Sequence, residues 1–289
     1  MKNFDVRENT FRLSRHQPAE DLTFFVEHYW IVSWNLRERD SYRVEILPHP
    51  RVHLVVAQGQ ANIFGVVKGP FPYLYEQTGR VFGVRFKPGA FYPFVCTPIA
   101  RLTNTSKRLI DVFGGAGATL EEALLTEVDE ATMVAIVERF LRERLPARDK
   151  CVEMLYHIFD DILISSEITR VDDVVRQLNL SKRTVQRLFY RYVGVSPKWV
   201  IKHYRLHEVA QRLAKDTTMD WSELALDLGY CDQAHFIKDF KAMLGKSPAE
   251  YAKTIGTDSY HSATCVLLHK TNEKTEQVEN LQFGESPLA

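Results

Sequence analysis

Two periods run along this chain. Between about residue 10 and residue 110 the apolar positions fall in short runs rich in Val, Ile, Phe, Tyr and Trp: FFVEHYWIVSWNL, YRVEILP, RVHLVVAQG, ANIFGVVKG and RVFGVRFKPG. Pro48, Gly59, Gly69, Pro70, Gly79, Pro88 and Gly89 punctuate them. This half therefore predicts many short strands closed into a sandwich or barrel. From about 118 the spacing becomes helical in TLEEALL, DEATMVAIVERFLRERL and DKCVEMLYHIFDDILIS, with Pro146 closing the second segment. The third should present Val152, Leu155, Tyr156, Phe159 and Leu163 on one face. Two roles are open for these segments: coupling or dimerising the halves, or capping the β half.

After Ser166 the pattern repeats. VVRQLNLSKRTVQRLFYRYVGVSP aligns with LALDLGYCDQAHFIKDFKAMLGKSP, matching Val185 to Phe236, Phe189 to Phe240, and Gly194, Ser196 and Pro197 to Gly245, Ser247 and Pro248. Upstream, Asn179 matches Gly229, and the offset changes by one residue in the turn between. Each unit reads as helix, tight turn, helix. Thr169 with Asp172, and Asp220 with Glu223, have capping-box spacing, and Asn179 and Gly229 are residue types that tolerate positive φ. Ser181 is an N-cap for KRTVQRLFYRY, which buries Val185, Leu188, Phe189 and Tyr192 and leaves Lys182, Arg183, Gln186, Arg187 and Tyr190 outward. In the second unit Phe236, Phe240 and Met243 face the core, leaving Gln233, Ala234, Ile237 and Lys238 accessible.

A helix that follows a tight turn and presents Arg and Gln suits the major groove. Arg bonds bidentately to guanine and Gln to adenine. The whole chain has no net charge, with 37 basic and 37 acidic residues. Residues 181 to 215, however, hold nine Lys or Arg against Glu208 alone, the local concentration that phosphate binding requires. Between the units, Ser196 and Pro197 start a helix predicted over 197–215, about 28 Å long at ~1.5 Å per residue. That approaches the ~34 Å of one DNA turn, so two recognition helices can address successive turns of double-stranded DNA.

Residues 150 to 255 resemble the DNA-binding domain of the AraC/XylS family of bacterial transcription regulators. The ordered set Gly229, Tyr230, Asp232, Gln233, Phe236, Phe240, Lys241, Gly245, Ser247, Pro248 and Tyr251 carries the resemblance. LPHPRVHLVV and VFGVRFKPGAFYPF resemble, less specifically, the cupin-like β domain of one branch of that family. The resemblance implies an α+β chain of two domains. An N-terminal β-rich, cupin-like sandwich or barrel with following helices would precede a C-terminal all-α domain with two helix-turn-helix units joined by a long helix. The corresponding spans are 1–114 for effector binding or dimerisation, 115–165 for coupling, 166–255 for DNA binding, and 256–289 for a polar tail. The resemblance places base readers at Arg183, Gln186 and Arg187 in the first unit, and at Gln233, Ala234 and Lys238 in the second. Lys182, Lys202 and His235 complete the expected DNA contacts. Ala234 offers no polar base contact and Lys238 is a point charge, so the first unit should discriminate sequence more strongly. RNA polymerase, a homodimer and a small-molecule effector are the partners this implies.

Other chemistry is weaker. Cys231, Asp232 and His235 have metal-ligand spacing, yet the repeat keeps its apolar frame around residue 185 without Cys or His, which favours capping and docking. His49 and His53 flank residues 50–52 without the further carboxylate or histidine ligands a cupin metal centre needs. Arg51, Arg85 and Lys87 could meet an anionic effector, with His49 and His53 nearby; a solvated strand face is the plainer reading. FGGAGATL lacks the Lys and Ser/Thr of a phosphate loop and reads as a lead into a helix. The four cysteines form no CxxC pair, so neither disulfides nor zinc are expected. No cofactor, enzyme activity or membrane span is expected, which predicts a cytoplasmic protein. The competing class is a metal-binding cupin or enzyme carrying an appended DNA-binding module.

Overall fold

The computed structural model describes residues 11–36, 41–164, 168–215, 224–226, 228, 230 and 232–255. The N-terminal half forms eight strands among these residues: β1 (Phe11–His16), β2 (Val26–Asn35), β3 (Ser41–Ile46), β4 (His53–Ala57), β5 (Gln60–Phe64), β6 (Phe71–Glu76), β7 (Thr78–Phe86) and β8 (Ser106–Arg108). Six make an antiparallel sheet in the order β1-β2-β7-β4-β5-β8, and β3 and β6 pair as a separate two-stranded sheet. Alternation along β2 and β7 sorts their side chains to the two faces of the large sheet. Tyr29, Ile31, Phe82, Val84 and Phe86 join the main core with the following helices. Val32, Trp34 and Val81 turn the other way, onto Val44 and Tyr75 of the small sheet.

Helices α1 (Tyr92–Val95), α2 (Leu109–Phe113), α3 (Gly115–Thr126), α4 (Glu130–Arg142) and α5 (Lys150–Ile164) follow. Asp129 caps α4 by accepting from the Thr132 amide at 2.8 Å. The buried face of α5 is Val152, Leu155, Ile158, Phe159 and Ile162, with Tyr156 half-buried. Leu163, expected on that face, is exposed instead.

The C-terminal half contains α6 (Val171–Leu178), α7 (Lys182–Leu188), α8 (Pro197–Lys215), α9 (Gln233–Leu244) and α10 (Pro248–Ile255), with a π-helical turn at Phe189–Val193 prolonging α7. Asn179 ends α6 at φ 50°, as its side chain allows. The matching parts of the repeat close alike. Gly194 and Gly245 take φ 92° and 80°, and Ser196 and Ser247 then cap α8 and α10 by accepting from the Trp199 and Glu250 amides. The capping box of α6 lies one residue later than expected. Asp173 accepts from the Thr169 and Arg170 amides, at 3.0 and 2.8 Å, whereas Asp172 pairs with Lys182 at 2.9 Å. Asp220, Glu223, Gly229 and Cys231 lie outside the described residues, as does the 256–289 tail.

The first unit shares one core with the β half, since Val185, Phe189, Val200 and Ile201 continue the cluster that contains Leu155 and Phe159. The second unit has its own core of Leu206, Leu213, Leu224, Phe236 and Phe240, into which Leu47 of the β half is inserted.

Candidate functional site

Two surfaces carry chemistry. On α7, Ser181 accepts from the Thr184 amide at 3.2 Å and starts the helix. Val185 and Leu188, with Phe189 in the π turn, anchor its inner side, which leaves Lys182, Arg183, Gln186, Arg187 and Tyr190 exposed. Arg183 and Arg187 make no ion pair among the described residues. The basic stretch around them is narrower than its composition implies. Arg191 lies over the Tyr92 ring and donates to its hydroxyl, Arg212 pairs with Glu208, and Arg205 donates to the Leu228 and Ile168 carbonyls at 3.1 and 3.2 Å.

On α9, Asp232 accepts from the His235 amide at 2.7 Å, the capping role its position suggests. Phe236 and Phe240 are fully buried behind the helix. Ala234, His235 and Lys238 are exposed and Gln233 half-exposed. Lys202, expected to touch phosphate, is bonded within the protein. Its Nζ lies 2.7 Å from Asp239 Oδ2, and His235 Nε2 reaches the same oxygen at 3.5 Å.

The second surface is a cavity of about 160 Å³ between the two sheets. Strand register orders its floor. His28, Arg85 and His53 share one row across β2, β7 and β4; Trp30, Gly83 and Val55 form the next, then Val32 with Val81. A Cβ on Gly83 would lie 2.1 Å from the Trp30 ring, so the glycine leaves the place the indole occupies. The polar row is buried: Arg51 and Arg85 are 8% and 1% exposed, which corrects the expectation of a solvated strand face. Glu27 Oε2 lies 2.5 Å from Arg51 Nε and 3.2 Å from Arg85 Nε. Burial pushes the Glu27 carboxyl up, but the Arg51 and Arg85 charges outweigh it and hold the group at about 2. Burial, reinforced by neighbouring guanidinium charge, lowers His28, His53 and His207 to about 3 each. Burial, then the Arg51 charge, lowers Arg85 to about 9.

His49, Arg51, His53 and Arg85 line this cavity, as the sequence grouped them. Lys87 does not; it stands beyond the end of β7, over the Tyr156 ring. The two histidines also diverge. His53 meets the Trp30 ring edge-on, whereas His49 packs on His203 and His207 of α8 at ring centroid separations of 5.5 and 6.0 Å. Arg85 lies 3.2 Å from His49 Nδ1, and Arg51 donates to the Tyr204 hydroxyl at 3.3 Å. Residues 47 to 51 thus form a strap that is cavity wall on one side and contact with α8 on the other. Sequence reasoning did not identify His203, Tyr204 or His207 here. Their i, i+1, i+4 spacing on a helix was the available signal.

Residues 174–254 match a family model described as a helix-turn-helix domain. The chain carries a helix-turn-helix domain over these residues. Residues 14–108 match a second family, described as a domain of unknown function (DUF6597). The chain is similar to the Msm operon regulatory protein of Streptococcus mutans, 28% identical over 45% of this chain and 50% of that protein. It is also similar to the HTH-type transcriptional regulator MtrA of Neisseria gonorrhoeae, 36% identical over 30% of this chain and 28% of that protein. The chain thus spans half or less of the length of these two relatives. Among solved structures, ToxT of Vibrio cholerae aligns over 84% of this chain and 98% of its own at 11% identity and a TM-score of 0.35, a likeness too slight to build on.

Proposed function

We propose that this protein is a sequence-specific transcription regulator that reads double-stranded DNA in two successive major-groove segments through its AraC-type domain. The observation that carries the reading is the outer face of α7. Arg183, Gln186 and Arg187 stand exposed on a helix whose opposite face is packed into the core, the arrangement a groove-reading helix needs. The second helix, with Gln233, Ala234, His235 and Lys238, contributes less discrimination. Lys182 and Lys238 supply phosphate or base contacts by their exposure, and Lys202 acts by holding α9 in place.

The β half acts as the sensor. Its cavity shares the strap of residues 47–51 with α8, so a small-molecule effector in the cavity bears on the helix that spaces the two recognition elements. A homodimer and RNA polymerase are the protein partners that fit a regulator of this type, acting in the cytoplasm without enzyme activity of its own. No helix among the described residues is long and apolar enough to cross a membrane. The alternative of a metal-dependent cupin gains no support from His49 and His53, whose rings turn to different neighbours. Selection of genomic fragments by the purified full-length chain tests the reading. A shared motif with two half-sites about one DNA turn apart is expected; recovery of fragments without sequence preference would overturn it.

A further inference from the structure

The cavity between the sheets has a polarity that runs in one direction. At one end stand Arg85, His53 and, from the strap, Arg51; two rows along, Val32 and Val81 face the aromatic side chains of the small sheet, Tyr73 and Tyr75 among them. Successive same-face rows lie about 7 Å apart at ~3.4 Å per residue, so about 14 Å of backbone separates the Arg85 row from the Val81 row, and a small molecule lies between side chains that reach in from both. The described lining residues include two guanidinium groups and no carboxylate; Glu27 stands outside the lining. Two further polar atoms on the wall are buried and have no hydrogen-bond partner among the described residues, Trp30 Nε1 and the Tyr73 hydroxyl. An indole N–H can only donate, guanidinium groups can only donate, and a phenol is satisfied by an acceptor. Leaving the Trp30 N–H unmet inside a protein costs free energy that a ligand oxygen recovers, and Arg51 and Arg85 share the single carboxylate of Glu27, two positive charges against one.

A neutral sugar or alcohol would bring as many donors as acceptors and meet this wall poorly. An amine would set a cation against Arg51 and Arg85. An acceptor-only, negatively charged head with an apolar body matches both ends. Its body is small, since a cavity of ~150 Å³ is known to take a benzene ring and this one measures about 160 Å³.

We infer that the effector of this protein is a small apolar monocarboxylate, its head at the Arg51, Arg85 and Trp30 end of the cavity and its body between Val32, Val81 and the tyrosines of β6. The inference rests on the sensor reading given above for the β half and adds the chemistry of what is sensed.

Isothermal titration of the full-length protein, without DNA, tests it with three isosteric probes: 3-phenylpropionate, 3-phenylpropanamide and 3-phenylpropylamine. The acid should bind, the amide at least about tenfold more weakly, and the amine not at all. Trp30→Phe keeps an aromatic side chain but removes the indole N–H, and should weaken the acid several-fold. Val55→Phe should fill the cavity and abolish binding, with Val55→Leu as the milder replacement if the larger one fails to fold. No heat from the acid up to millimolar concentration, or equal binding of acid and amide, would overturn the inference. So would acid binding that survives the filled cavity. Because no DNA is present, failure here leaves the DNA-reading proposal to its own selection experiment. Acid binding by a protein without sequence preference on DNA would sink only the latter.

Discussion

Lys202 Nζ sits 2.7 Å from Asp239 Oδ2, joining the connector helix α8 to the second recognition helix α9. Both side chains are largely removed from solvent, 27% and 15% exposed. The pair therefore keeps more of its attraction than an open surface bridge does. A lysine that only touched phosphate would leave the stability of the free protein unchanged when removed. Lys202→Ala should instead lower it by about 1 kcal/mol. A denaturation double-mutant cycle with Asp239→Asn should show coupling of ~0.5–1.5 kcal/mol. On DNA, the same variant should weaken all sequences alike, because it loosens α9 without removing a base reader.

Arg187 stands on the outer face of α7 with no ion pair among the described residues, one helical turn from Arg183. Arg187→Ala should cost roughly 1–3 kcal/mol of binding to the selected DNA and relax the preference at a single base position. Lys238→Ala on α9 should cost less and mainly reduce the salt dependence. Quantitative binding against a library of single-base variants separates the two effects. Equal loss of base preference from both variants would contradict the ranking of the two helices.

The sequence was legible wherever the signal was local. The start of α8 follows from Ser196 and Pro197, the turn after α6 from Asn179, and the inner face of α7 from the spacing of Val185, Leu188 and Phe189. The α6 capping box was misplaced by one residue because Asp172 and Asp173 adjoin and both suit the motif; only the geometry shows Asp173 reaching back. Strand β6 was not among the predicted runs: it follows Gly69 and Pro70, which read as a turn, and it contains Pro72, which a strand paired with β3 alone tolerates. The buried character of Arg51 and Arg85 depends on Glu27, which is distant in sequence and brought near by strand pairing. No local pattern announces that. The same holds for Leu47, an ordinary apolar residue before a proline that turns out to plug the core of the second unit.

Gly194 shows how tightly the first unit is seated on the β half. Its φ is 92°, a Cβ there would lie 3.1 Å from Ile99 and Thr103, and its carbonyl accepts from the Thr103 hydroxyl at 2.6 Å. Gly194→Ala combines backbone strain with a crowded interface and should destabilise the protein by roughly 1–3 kcal/mol. Gly59 has φ 76° but no atom within 4 Å of a built Cβ. Gly59→Ala should therefore cost only the backbone part, about 1 kcal/mol. Thermal unfolding of the two variants side by side measures the difference.

The buried histidines make stability depend on acidity, and the direction follows from their neighbours. Burial, then guanidinium charge, lowers His28, His53 and His207 from the ordinary 6.5 to about 3 in the folded protein. Below pH 6.5 the unfolded chain takes up protons that the folded one refuses. Stability is therefore complete above about 6.5 and is lost as pH falls. Each histidine contributes a slope of about 1.4 kcal/mol per pH unit once well below 6.5. Glu27 acts in the same direction in a lower window. Its carboxyl is held at about 2 against an ordinary 4.5, so its contribution begins to disappear only below about 4.5. Urea denaturation between pH 6.5 and 4.5 thus reads mainly the histidines. His207→Gln should flatten the dependence by about a third, so that the variant falls further below the parent protein at pH 8 than at pH 5. A stability curve flat from pH 7 to 5 would mean that these rings take up protons in place, with the strap of residues 47–51 opened to water.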